Sequence, residues 1–207
     1  MTKPLIYTIG HSTHPIEYFL ELISHYKITC VVDVRSLPAS RFNPQYNKNA
    51  LSNFLRTHGI AYLHLGEEFG ARQSAADLLD EEGKVDFEKM RSSIRFKKGL
   101  DRLEKGVSEN YTIALMCSEA DPLQCHRFSM ISVALTDIEV SHILKDKTIL
   151  TQGELEDVLL KGYVRKFSAG DLFSADDSRK NQLRIAFRLL NKEVAYSPNA
   201  IKAKRGK

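Results

Sequence analysis

Residues 111–127 read Tyr-Thr-Ile-Ala-Leu-Met-Cys-Ser-Glu-Ala-Asp-Pro-Leu-Gln-Cys-His-Arg. This stretch holds Cys117 and Cys125, two of the chain's three cysteines, together with Glu119, His126 and Arg127. These residue types suit nucleophilic chemistry: a thiol to attack, an imidazole to move its proton, a carboxylate to orient the imidazole. Asp121 fits a helix N-cap, Pro122 the first helical position and Gln124 the third position of a capping box. The pattern predicts a helix opening here, with Cys125, His126 and Arg127 in its first turn or just beyond. Free amides at a helix start favour an anion, so Cys125 is expected to have a lowered thiol pKa, helped by Arg127 and by His126 when protonated. Cys125 also fits a plainer role, a small buried hydrophobe that packs a helix onto a sheet.

Composition sets the frame. Apolar residues make up 43% and charged residues 27% of 207, as in a globular protein with a sizeable core. No apolar run approaches the roughly 20 residues of a membrane helix. Met1-Thr2-Lys3-Pro4 runs directly into a strand-like segment, so no signal peptide is expected. An odd number of cysteines without framework spacing suits a reducing cytoplasm. The net charge of +4 is concentrated at the end, in Lys202, Lys204, Arg205 and Lys207. Such a tail either contacts phosphate backbones or is a solvated end.

Apolar runs at Leu5–Ile9, Ile28–Val34, Ile60–Leu65, Tyr111–Met116 and Val140–Leu144 read as strands. Between them, Ile16, Phe19, Leu20 and Ile23 share one helical face, as do Leu51, Phe54 and Leu55, the latter closed by Gly59. Phe87, Met90 and Ile94 suggest another helix, and Leu100 with Leu103 a further one, whereas 66–86 has no period. Strand–helix alternation predicts an α/β fold: a mostly parallel central sheet of about five strands flanked by helices. After Thr148 the pattern turns helical, around Leu155–Leu159 and again from Ser178 to Glu193, with 161–178 loop-like between. The expected organisation is one α/β domain, with a core over about 4–147, a helical extension over 148–195 and a basic tail over 196–207.

Ligands of open α/β sheets bind beyond the carboxyl ends of the strands. Those ends carry His11 and Ser12, then Arg35 with Arg41 behind it, then Gly66 and Glu67, then Cys117 and Glu119, and Tyr46 lies on the long loop after Arg35. Guanidinium forks suit phosphate or carboxylate oxygens, which makes Ser12, Arg35, Arg41, Tyr46 and Arg127 the candidate ligand-binding residues. Cys125, Cys117, His126, Glu119 and His11 are the candidate catalytic ones. The alternative is structural ion pairing of Arg35 with Asp33 and of Arg127 with Glu119. No phosphate-binding glycine loop, paired C-x-x-C, H-E-x-x-H or G-x-S-x-G occurs, and nine residues between Cys117 and Arg127 exclude the Cys-x5-Arg phosphatase loop. Cys117, Cys125 and His126 with His11 match no common structural zinc spacing, so neither a metal nor another cofactor is expected.

The chain resembles the family labelled domain of unknown function 488. The resemblance rests on Tyr7-Thr8-Ile9-Gly10-His11-Ser12, on Asp33-Val34-Arg35-Ser36-x-Pro38-x-Ser40-Arg41, on Asn43-Pro44 with Asn47, on Leu115-Met116-Cys117-Ser118-Glu119 and on Cys125-His126-Arg127. It spans residues 5 to about 144, and the C-terminal Arg184-Ile185-Ala186-Phe187 is similar to the family's ending. Where members usually show Cys-Ala-Glu, this chain has Cys-Ser-Glu. The resemblance implies a compact α/β domain whose motifs line one pocket, and it supplies no activity. The residues themselves leave three readings: a Cys/His-dependent hydrolase or transferase acting on a phosphorylated nucleotide or nucleic acid, a non-catalytic module for the same ligands, and a metal-binding protein.

Overall fold

The computed structural model describes residues 3–163 and 178–198. The basic tail from 199 on, and most of the expected loop 161–178, lie outside the described residues. No described helix is long and apolar enough to cross a membrane.

The chain opens with β1 (Leu5–Gly10), α1 (Ile16–His25), β2 (Cys30–Asp33), α2 (Lys48–Thr57) and β3 (Ala61–His64). A short turn, α3 (Gly66–Phe69), leads through an irregular stretch to α4 (Phe87–Ser92) and α5 (Ile94–Ser108). Then come β4 (Ile113–Cys117), β5 (Glu139–Ile143), β6 (Ile149–Thr151), α6 (Gln152–Tyr163) and α7 (Arg179–Val194). The sheet order is β3-β2-β4-β1-β5-β6, with β6 antiparallel to β5 and every other pair parallel. The α/β expectation holds, with one strand more than expected. Asp146 accepts the Thr148 amide and Lys147 takes a positive φ of 69°, which closes a tight hairpin into β6.

Alternation along the strands splits the core into two layers, since successive side chains point to opposite faces. Ile9, Val31, Ala114 and Met116 meet Phe19, Leu22 and Ile23 of α1 and Leu51 and Leu55 of α2. On the other face Val32, Ile113, Leu115 and Cys117 meet Phe69, Phe87, Met90, Phe96 and Leu103. One spacing misleads. Ile94 is 75% exposed, because the chain breaks at Ser93, whose hydroxyl accepts the Phe96 amide and starts α5 on a new axis. Gly99 sits within α5, where a Cβ would lie 2.6 Å from the Phe69 ring, so only glycine lets α5 approach that closely.

The order of the strands places the site. From β1 the chain leaves towards β2 with α1 on one face, and from β4 it leaves towards β5 with its turns on the other. Neighbouring β1 and β4 therefore send their continuations in opposite directions, which opens a crevice beyond their carboxyl ends. Into it run His11-Ser12 from β1 and Ser118-Glu119 from β4, tied by the amides of His11 to Cys117 O and of Ser12 to Ser118 O, both at 2.9 Å. Gly10 permits this crossing, since a Cβ there would lie 1.9 Å from Glu119 O.

Candidate functional site

Asp121 does cap a turn, accepting the Leu123 amide, but the turn is a single 3₁₀ loop over Pro122–Gln124. Cys125 then returns to extended backbone with φ −133° and ψ 141°, and a wide helical turn begins at His126 and runs over Arg127–Ile131. The expected continuous helix is therefore two short pieces, and Cys125 stands between them. It caps the second piece: the Arg127 amide donates to Cys125 Sγ at 3.5 Å, and the Phe128 amide to its carbonyl at 3.2 Å.

That break turns the sulfur towards the end of β4. Cys117 Sγ lies 3.8 Å and Cys125 Sγ 3.7 Å from His126 Nδ1. His126 Nε2 is 3.2 Å from Val34 O, so that nitrogen carries the hydrogen and Nδ1 turns its lone pair to the sulfurs. Both cysteines are buried, at 6% and 2% exposure, yet both line a cavity of about 270 Å3. Burial pushes the Cys125 thiol up, but the hydrogen bond from Cys117, with Arg127 and His126 nearby, outweighs it and holds Cys125 well below the usual thiol range. Cys117, which hydrogen-bonds to Cys125 and is buried beside it, is held well above that range.

The arginines are placed differently from expectation. Arg127 is fully buried, and its guanidinium donates to Glu119 O at 2.6 Å and Ala120 O at 3.0 Å. Its fork is thus turned onto the 119–120 backbone, where it shapes the loop beside the sulfurs. Neither the expected substrate contact nor the alternative ion pair with Glu119 describes it. Glu119 is exposed on the rim, and its carboxylate makes no hydrogen bond or ion pair with a described residue. Arg35 follows the structural alternative: Asp33 accepts its Nε at 2.9 Å and its terminal nitrogen at 2.7 Å. Arg35 still borders the cavity, beside Ser36 and Leu37. Arg41 is exposed on its loop and lines neither this cavity nor its neighbour.

His11 is set behind the site. Its Nδ1 is 2.8 Å from Ser12 O and its Nε2 accepts from Arg35 at 3.0 Å, so both ring nitrogens are occupied and His11 does not join the sulfur cluster. Tyr46 stacks on that ring at 4.1 Å and accepts from Arg35 through its carbonyl. It is fully buried and supports the site without lining it. Ser12, at a positive φ of 48°, borders a neighbouring polar cavity of about 410 Å3 with His11, Ser40, Asn43 and Asp121.

Arg72, Gln124, Val194 and Tyr196 complete the walls and were not among the sequence candidates. Arg72 comes from the stretch without a period. Its amide donates to Ser36 Oγ at 2.9 Å, and its guanidinium lies 6.0 Å from the centre of the Tyr196 ring. A sequence signal existed in Gly66 and Gly70, glycines four apart where backbones touch: a Cβ at Gly70 would lie 2.4 Å from Ser36 Oγ.

The motifs that converge here belong together in other chains as well. The family described as domain of unknown function DUF488 matches residues 15–133, more than half of the sequence. The chain belongs to the DUF488 family. No curated protein and no solved structure matches it. The DUF488 match takes in Arg35, Cys117, Cys125 and His126, whereas Tyr196 on the cavity wall lies beyond it.

Two buried imidazoles make this DUF488 chain sensitive to acid. Burial lowers His11 to about 4, with Arg35 adding to the effect. Burial likewise lowers His142 to about 4, on β5, where it bonds to Thr8 and Gln152. The unfolded chain, with ordinary values of 6.5, takes up these protons first. Stability is therefore complete above that value and falls as pH drops towards 4, by roughly 3 kcal/mol for each imidazole. Urea unfolding across this range is expected to show the slope, and His142→Gln to flatten it. An identical slope in the variant overturns the account.

Proposed function

We propose that this chain is an enzyme acting on an anionic, phosphate-bearing substrate of the nucleotide or nucleic-acid class, with Cys117, Cys125 and His126 as its reactive centre. The observation that carries the reading is the convergence of two sulfurs and one imidazole nitrogen on the floor of a cavity walled by Arg35 and Arg72. Cys125 is the nucleophile, because the Arg127 amide points at its sulfur. His126 Nδ1 receives the proton. Arg72, with the one Arg35 Nη1 hydrogen not taken by His11, holds the substrate anion, and Arg127 and His11 position the loops around it. Glu119, unpaired on the rim, orients the substrate rather than the imidazole.

A second reading, a non-catalytic module for nucleotides or nucleic acid, draws on Phe42, 94% exposed beside Arg41, because a solvent-facing aromatic next to a guanidinium suits a stacked base. One experiment separates the two. The reduced protein is alkylated with iodoacetamide at fixed pH in the presence of a chelator, and Cys117 and Cys125 are followed by peptide mass spectrometry. A nucleoside monophosphate at ten times its Kd is expected to slow Cys125 labelling about tenfold, as occupancy demands, while the uncharged nucleoside does not. Binding of the monophosphate with unaltered labelling supports the module and overturns the enzyme reading.

A further inference from the structure

His126 Nδ1 has one lone pair, yet two sulfurs face it at 3.8 and 3.7 Å. A single acceptor satisfies only one S–H, and the other thiol turns to its fellow sulfur, so the two sulfurs and the nitrogen close on one point. The three atoms lie within 4.8 Å of one another. Tetrahedral zinc, with Zn–S of about 2.3 Å and Zn–N of about 2.0–2.1 Å, sets a sulfur-to-nitrogen edge of about 3.6 Å. Both observed separations match that edge closely. The His126 ring is oriented as a ligating imidazole is: its other nitrogen is fixed on Val34 O, leaving Nδ1 for the metal.

We infer that Cys117 Sγ, Cys125 Sγ and His126 Nδ1 form a binding site for a thiophilic divalent metal of the zinc class, with a fourth position open to the cavity beside Arg35 and Arg72. Two sulfurs and an imidazole select such a metal over magnesium or calcium, which prefer oxygen. Both cysteines bind as thiolates and release their protons to solvent, so their charges balance the cation and the centre is neutral. His11 is not the fourth ligand, since Arg35 and Ser12 O occupy its two nitrogens. The fourth position faces guanidinium groups, which favours an anionic oxygen there. The inference rests on the same cluster as the proposed function but not on the nucleophilic role of Cys125, because a metal seated there makes both sulfurs ligands.

The test uses the full chain, reduced and stripped with chelator, then freed of it and titrated with Co2+ under anaerobic conditions. One equivalent is expected to saturate the protein and to produce sulfur-to-cobalt charge-transfer bands with the strong visible bands of a tetrahedral ion. One equivalent of Zn2+ is expected to bleach them. Cys117→Ser, Cys125→Ser and His126→Ala are each expected to weaken cobalt binding by about tenfold or more, and Cys30→Ser, on β2, to leave it unchanged. Absence of these bands in the unaltered protein overturns the inference, as do bands that survive the Cys117→Ser/Cys125→Ser double variant. No bands, with Cys125 still shielded by the monophosphate, removes the metal and keeps the proposed function. Bands without shielding keep the metal and remove the nucleophile.

Discussion

Asp33→Ala is expected to destabilise the protein by about 3–5 kcal/mol, the usual cost of leaving a buried charge without its partner. Asp33 is fully buried and Arg35 is only 6% exposed. The carboxylate accepts the Arg35 amide at 3.1 Å, its Nε at 2.9 Å, its terminal nitrogen at 2.7 Å and the Tyr62 hydroxyl at 2.7 Å. Alanine removes all four hydrogen bonds at once and leaves a buried guanidinium with Tyr46 O and His11 as its remaining partners. For a chain of this length the loss corresponds to a fall in Tm of roughly 6–20 °C. The double variant Asp33→Ala/Arg35→Met is expected to recover part of it, because an apolar replacement of both partners removes the stranded charge. A single variant within about 1 kcal/mol of the parent contradicts this account, since surface pairs are worth no more than that.

Cys125→Ser is expected to reduce turnover of a phosphate-bearing substrate by roughly 10³-fold or more while leaving its Kd nearly unchanged, the pattern of a group that acts only in the transition state. The substitution keeps the size and the acceptor of the side chain, so the Arg127 amide retains a partner and the second helical turn its cap. Arg35 and Arg72, which hold the anion in the proposed function, are untouched. Equal turnover in the variant removes Cys125 as nucleophile. A rise in Kd that matches the loss of turnover points instead to a binding role for the sulfur.

Much of the fold was legible because its signals are local. Val31, Val32 and Val34 form an apolar run that only a strand covered on both faces would need. Ser178 starts α7 as a cap, and Gly59 closes α2 with a positive φ of 70°. The family motifs lie at neighbouring strand ends, and the Asp33–Arg35 ion pair was the alternative to the ligand-binding role that the sequence suggested for Arg35. The failures were of two kinds, two local and one long-range. Ile94 continued a helical spacing across a break that Ser93 creates, and Cys125 was placed in a helix by a cap that closes only one turn. Arg72 carried no sequence signal of its own, because its position depends on Ser36 and Tyr196 from distant parts of the chain.

By itself the sequence determined which side chains have the chemistry for a site: two thiols, an imidazole and several guanidiniums, each near a strand end. Only the tertiary structure decided which of them face one another. Adjacency of β1 and β4, set by crossovers on opposite faces of the sheet, opens the crevice, and the extended backbone at Cys125 turns its sulfur to Cys117 and His126. Burial then divides the arginines, because a guanidinium inside the protein turns its terminal nitrogens to whatever oxygens surround it, even though the Arg127 Nε finds no partner among the described residues. Arg127 finds backbone carbonyls, Arg35 finds Asp33, and Arg41 remains in solvent.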